Sequence, residues 1–166
     1  MNAEIDHFGA GALPDEKQTL RLWLELLSCS VIVEKTVRQR LAKKFDTTLP
    51  RFDVMAALDR FPEGMTLGDL SGHLLVSNGN ITGLINRLVD DGLVIRTINP
   101  KDRRAQRVRL SRKGEQVFSE MAAAHEEWIE TMFQEFGAED REQTTALLTH
   151  LKASILAGTK KLKENP

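Results

Sequence analysis

The chain has 166 residues, 41% of them hydrophobic and 28% charged, with a formal net charge of −1. That composition suits one soluble globular domain with helical extensions and excludes a disordered or low-complexity chain. With no run of about 18 apolar residues, no basic-then-apolar leader and Cys29 as the lone cysteine, the expectation is a cytoplasmic protein without membrane span, secretion signal or internal disulfide.

Residues 1–15, rich in Gly and Ala around Pro14, read as a flexible arm. From Glu16 to about Phe45 the apolar spacing is helical. Leu20, Leu24, Leu27 and Val31 form one stripe, and Trp23, Leu26, Val33 and Val37 form a second. A helix apolar on two sides needs two surfaces to bury against, its own domain and, most simply, a second subunit. Thr47, Thr48 and Pro50 then announce a second helix, since proline fits a first turn where its missing N–H costs nothing. Its inward face is Phe52, Met55, Ala56 and Leu58, and Phe61-Pro62-Glu63-Gly64 ends it.

Met65 to about Leu75 reads as a short helix capped by Thr66, with Asp69 in its first turn. Ser77 caps the next, Asn78 to Asp91, whose inward positions Ile81, Leu84, Ile85 and Leu88 are spaced i, i+3, i+4 and i+7. Gly92 stops it, and Leu93 to Ile95 begins a strand. After a turn at Asn99-Pro100, Gln106 to Leu110 alternates, with Val108 and Leu110 inward and Arg107 and Arg109 outward. Two short helices followed by a hairpin describe a winged helix-turn-helix. Ser111 caps a long helix to about Phe136, with Phe118, Met121, His125, Trp128, Met132 and Phe136 along one side. Gly137 breaks it, and Glu139 to about Ala157 forms a last helix with Leu147, Leu148, Leu151 and Ile155. The fold expected is mainly α with a small β-hairpin wing. A winged helix-turn-helix over 47–111 is flanked by N- and C-terminal dimerisation helices over 16–46 and 112–158, and 159–166 is a flexible tail.

From Arg96 to Lys113 the positive residues are Arg96, Lys101, Arg103, Arg104, Arg107, Arg109, Arg112 and Lys113, against Asp102 alone. On a near-neutral chain such a local concentration is the footprint of a polyanion. The outward side of the preceding helix is Asn78, Gly79, Thr82, Gly83, Asn86 and Arg87. Each interior glycine costs a helix roughly 1 kcal/mol relative to alanine, so two on one face call for a reason. Close approach to a DNA groove supplies one. Asn reads adenine edges and Arg reads guanine, while hydroxyls such as those of Ser77 and Thr82 suit phosphates. The outward wing arginines would lie over the neighbouring minor groove. The plain alternatives are a weak or packed helix, a solvated basic face, or a docking face for an acidic protein.

Enzyme signatures are missing. There is no P-loop, dinucleotide-binding glycine turn or nucleophile elbow, and His7, His73, His125 and His150 lack metal-ligand spacing. Neither a cofactor nor a metal is expected. Trp23, Phe52, Met55, Met121 and His125 would converge where the long helices meet the second helix. They form a candidate pocket for an aromatic ligand, with Arg38 or Arg51 for an anionic group, although core packing is the plainer explanation for each of them. Cys29 sits in the first helix with no cation in the preceding turn, which leaves oxidant sensing as an alternative that needs an activated thiol.

Asn99-Pro100-Lys101-Asp102-Arg103-Arg104-Ala105-Gln106-Arg107-Val108-Arg109-Leu110-Ser111 resembles the wing signature of the MarR family of winged helix-turn-helix regulators, D-P-x-D-R-R-x-x-x-V-x-L-T. It departs at Asn99 and Ser111. The resemblance implies that Asp102 braces the wing, that Arg104 is the wing-tip residue reaching DNA, and that Asn78, Gly79, Asn80 and Thr82 open the recognition helix. It also implies a homodimer on a pseudo-palindromic operator in double-stranded DNA, and repression relieved by a small ligand. Ser77 to Leu84 is similar to members controlling catabolism of hydroxycinnamates and related aromatics, which makes an aromatic acid or its CoA thioester the implied effector.

Overall fold

The computed structural model describes residues 17–74, 78–99 and 102–164. In chain order the elements are α1 (Gln18–Phe45), α2 (Leu49–Asp59), β1 (Met65–Thr66), α3 (Leu67–Leu74), α4 (Asn78–Asp90), β2 (Val94–Asn99), β3 (Asp102–Leu110), α5 (Arg112–Phe133) and α6 (Ala138–Glu164). Two compact units divide the chain, one through Trp128 and one from Ile129.

The core of the first unit draws on every helix from α1 to α5. Val37 and Leu41 come from α1, Val54, Met55 and Leu58 from α2, Leu70 from α3, and Phe118, Met121 and Trp128 from α5, all buried. In α4, Ile81, Ile85 and Leu88 are each 0% exposed, as their helical spacing demands, whereas Leu84, also expected inward, is only half-buried because it sits toward the edge of that face. The end of α1 is fixed by Asp46, which takes a left-handed conformation (φ 48°) while Lys43 and Lys44 face the carbonyl end of the helix dipole. Proline in the first turn of α2 agrees with expectation.

Met65 is not helical. It pairs with Val108, and Thr66 with Arg107, so β1 joins the wing in an antiparallel sheet of order β1-β3-β2. A two-residue strand is too short to carry an alternation that a sequence could reveal. The gain is burial, since Met65 and Val108 are both inside. Thr66 caps α3 nonetheless. Its hydroxyl accepts the Asp69 N–H at 3.1 Å and donates to Asp69 Oδ2 at 2.8 Å. The proposed cap at Ser77 lies outside the described residues.

Gly92 ends α4 in the left-handed region (φ 71°), with its N–H on Val89 O at 2.9 Å and that of Leu93 on Leu88 O at 2.8 Å. In the wing, Val94 pairs with Leu110 and Arg96 with Val108, with an irregularity between Ile98 and Asn99. Val108 and Leu110 are buried as expected. Ser111 caps α5, its Oγ accepting the Gly114 N–H at 2.9 Å. That helix stops at Phe133, short of Phe136, whose N–H closes a turn onto the Phe133 carbonyl at 3.0 Å.

In the second unit, α6 continues to Glu164, so 159–164 is helix where a flexible tail was expected. Lys160 and Glu164 lie 4.0 Å apart at helical spacing, and Lys161 and Lys163 complement the C-terminal dipole. No residue of α6 is buried, and Leu147, Leu148, Ile155, Leu156 and Leu162 are all exposed.

Gly114 is the tightest glycine in the first unit. A Cβ there would stand 1.9 Å from the Leu93 carbonyl oxygen. Gly114→Ala should destabilise the fold by about 1–3 kcal/mol, as overpacking does, read as a lowered midpoint in denaturant-induced unfolding.

Candidate nucleic-acid interface

The outward side of α4 is open. Gly79, Asn80, Thr82, Gly83, Asn86 and Arg87 are all exposed. A groove of about 410 Å³ runs along this side, lined by Pro50, Gly79, Asn80, Gly83, Leu84 and Arg87. A Cβ built on Gly79 or Gly83 meets nothing within 4 Å. Internal packing therefore does not require either glycine, and the packed-helix alternative loses its basis.

The arginines of the basic segment separate into different roles. Arg96 of β2 donates from its guanidinium to Asn86 Oδ1, which ties the wing base to α4 and occupies part of the Asn86 side chain. The sequence shows Arg96 as part of a charge run, but not as a partner of α4. The tight reversal at Gly92 is what brings them together. Arg107 is half-buried and donates to the Gly64 carbonyl at 2.7 Å, anchoring the wing to the loop before β1. Its expected outward orientation gives way to this internal bond, because β1 places an accepting carbonyl beside it. Arg109, likewise expected outward, is half-buried, with Nη1 3.4 Å from the Leu110 carbonyl. Arg87 stays exposed. Asp102, Arg103 and Arg104 open strand β3, but their side chains, that of Asn78 and the whole of Ser77 lie outside the described residues.

An aromatic cluster forms on α2 and α5. Phe52 stands 5.6 Å from Phe118 and 5.0 Å from His125 between ring centroids. Met55 and Met121 are buried. Burial lowers the His125 pKa from its ordinary value, so a neutral imidazole faces Phe52. Beside it, Asp53 is half-buried and its pKa is raised, by burial first and by the Glu34 carboxylate second, against the opposing pull of Arg38. Asp53 carried no sequence signal, because its partners come from α1. Arg38 bonds to Glu34 on its own helix. Trp23 is 55% exposed. Arg51 pairs with Asp91 at 2.5 Å, at the end of α4. Of the candidate ligand residues, Phe52 and His125 thus meet directly, while Arg51 is committed elsewhere. Cys29 is exposed. Among the described residues no group of His, Cys, Asp and Glu could hold a metal ion, and no helix is long and apolar enough to cross a membrane.

The sequence profile of the MarR family matches residues 45–105. The crystal structure of a MarR family transcriptional regulator from Silicibacter pomeroyi is 30% identical and superposes with a TM-score of 0.73 over 86% of this chain and 99% of its own. The chain belongs to the MarR family. The transcriptional activatory protein BadR of Rhodopseudomonas palustris is 35% identical over 104 residues, 61% of this chain. The match spans only 59% of BadR's own length. CouR of Rhodococcus jostii RHA1, solved bound to p-coumaroyl-CoA, shares the fold at 19% identity, with a TM-score of 0.68 over 78% of this chain and 90% of CouR.

The His125 environment fixes a sign for pH dependence. Its folded pKa lies below the unfolded value of 6.5, so below that pH the unfolded chain takes up a proton that the folded chain resists. Stability should fall as pH drops through this window, and His125→Asn should flatten that fall in denaturant unfolding. Asp53 acts in a separate window above 3.8 and with the opposite sign, gaining stability as pH falls.

Proposed function

We propose that this protein is a DNA-binding transcriptional regulator, a cytoplasmic repressor that reads a pseudo-palindromic operator as a homodimer. The observation that carries the reading is the glycine-thinned, exposed face of α4, where no side chain of the fold explains Gly79 and Gly83. On this reading α4 enters the major groove, with Asn80, Asn86 and Arg87 toward base edges and Thr82 toward phosphate. Arg103 and Arg104 at the wing tip reach the flanking minor groove. Half-sites would lie about one helical turn apart, in register with a two-fold dimer. Exposed apolar side chains on α1 (Leu20, Leu22, Trp23 and Ile32) and, separately, on α6 support a second copy as the partner of these helices.

The proposed effector is a small aromatic acid or its CoA thioester, bound beside Phe52 and His125. The ring cluster supports this by its chemistry, and CouR supports it by what it was solved with. Release needs only that the effector favour a dimer geometry in which the two α4 helices no longer match the groove spacing. A coupling of about 1–3 kcal/mol changes DNA affinity 5- to 150-fold.

Duplexes enriched from a random pool by the purified full chain should outcompete scrambled duplexes. Their affinity should fall with salt at a log–log slope near −0.9 per phosphate neutralised. Gly83→Ala should stabilise the fold by up to about 1 kcal/mol yet weaken binding to the enriched duplex, and Arg104→Ala should weaken it too. Failure to enrich any duplex contradicts the reading. Titrating hydroxycinnamates, benzoates and their CoA thioesters should quench or shift Trp23 and Trp128 emission and lower DNA affinity. No response in either signal would remove aromatic effectors from the proposal.

A further inference from the structure

We infer that the turn Asp91-Gly92-Leu93 is the joint that sets the angle of α4 against α2 and α5, with Arg51, Asp91 and Lys113 as positioning residues for sequence-selective binding. The inference rests on the DNA-reading role of α4 proposed above.

Contacts from two other helices converge on these three residues. From α2, the Arg51 guanidinium pairs with the Asp91 carboxylate at 2.5 Å, with only 20% of the Arg51 side chain exposed. From the first turn of α5, Lys113 Nζ donates to the Asp91 carbonyl at 2.9 Å. The hydroxyl of Ser111 donates to the Gly92 carbonyl at 2.7 Å, and the Ser111 N–H donates to the Leu93 carbonyl at 3.0 Å. Gly114 lets the backbone of α5 come against that same carbonyl. Three successive carbonyls following α4 are therefore held by the cap residue Ser111 and the first turn of α5. A cation on the first of them also suits the negative end of the α4 dipole.

Geometry makes this turn consequential for reading. α4 has 13 residues and rises about 1.5 Å per residue, so its length is roughly 20 Å. A tilt of about 5° at the C-terminal joint would move its first turn by roughly 1.7 Å. Hydrogen bonds to base edges tolerate only a few tenths of an ångström, so a shift of that size breaks them. The attraction of arginines for phosphate is long-ranged and sequence-independent, and it survives such a shift. Loosening the joint should therefore cost selectivity and spare general affinity. Arg51 and Lys113 are cations near a polyanion site, yet both have internal partners, which distinguishes positioning from direct phosphate contact.

The test compares full-length Arg51→Gln, Asp91→Asn, Lys113→Gln and the exchanged pair Arg51→Asp with Asp91→Arg. Each is measured against a duplex enriched by the wild-type protein and against a scrambled duplex of equal length, with thermal unfolding in parallel. The single variants should each lose about tenfold on the enriched duplex, comparable with one wrong base pair. Scrambled-duplex affinity and salt slope should stay at the wild-type level, and the exchanged pair should recover much of the loss. Equal losses on both duplexes with a shallower salt slope would make Arg51 a phosphate contact and overturn the joint. So would unchanged affinity in all the single variants, or an exchanged pair that regains stability without selectivity. If the wild-type protein enriches no duplex, the reading of α4 itself fails, and the joint falls with it.

Discussion

The first turn of α5 comes so close to the Leu93 carbonyl that Gly114 has no space for a methyl group, and the Ser111 N–H closes the contact at 3.0 Å. This approach fixes more than its own neighbourhood. Leu93 is also where α4 ends, its N–H reaching back to Leu88, and it immediately precedes the strand that builds the wing. The pairing of Val94 with Leu110 then sets the register of the whole hairpin, because a slip of one residue would turn Val108 and Leu110 away from the core. Helix α4, the wing that follows it and helix α5 are thus referred to a few backbone atoms. Glycine at 92 supplies the left-handed step, and glycine at 114 supplies the clearance.

Charge in this protein does two kinds of work, and counting residues conflates them. The segment from Arg96 to Lys113 is strongly basic in a chain of net charge −1. Yet Arg96 is bonded to Asn86, Arg107 to the Gly64 carbonyl and Lys113 to the Asp91 carbonyl. These cations hold the wing and the joint in shape. Even so, a guanidinium donating to a carbonyl keeps its full charge, so the anchored arginines still add to the field that draws a polyanion toward this side. Orientation and attraction are then supplied by the same side chains.

What the sequence made legible was local. The helical spacing of Ile81, Ile85 and Leu88 in α4, the stop at Gly92, the caps at Thr66 and Ser111 and the inward Val108 and Leu110 each depend on residues within a turn or two of one another, and each is present. What it concealed depends on residues brought together from afar. The pairing of Met65 with Val108 turned an expected helix start into a third strand. The Arg107 bond to Gly64 and the Arg51 bond to Asp91 span 43 and 40 positions, and no periodicity encodes them. Their effect was to reassign arginines that alternation alone sends outward, or that chemistry alone assigns to a ligand. The raised pKa of Asp53 belongs with these, since burial raises it first and Glu34 on another helix second. The length of α6 erred for a different reason. Lysines near a terminus resemble a solvated tail, yet at i, i+4 from Glu164 and at the negative end of the dipole they extend the helix.

Helix α2 connects the two regions on which regulation of this fold would depend. It is 11 residues long, and its neighbouring positions Arg51 and Phe52 project in different directions. Arg51 goes to Asp91 at the end of α4, and Phe52 goes to Phe118 and His125 on α5. A short helix with Val54, Met55, Ala57 and Leu58 buried cannot flex between adjacent residues, so it moves as a body. Any ligand that bound better with Phe52 displaced from His125 would carry Arg51 with it and bias the joint at the far side of the helix. The reverse follows from the same thermodynamics. DNA that requires one angle of α4 would favour one placement of Phe52, so operator binding would weaken that ligand by the factor with which the ligand weakens operator binding.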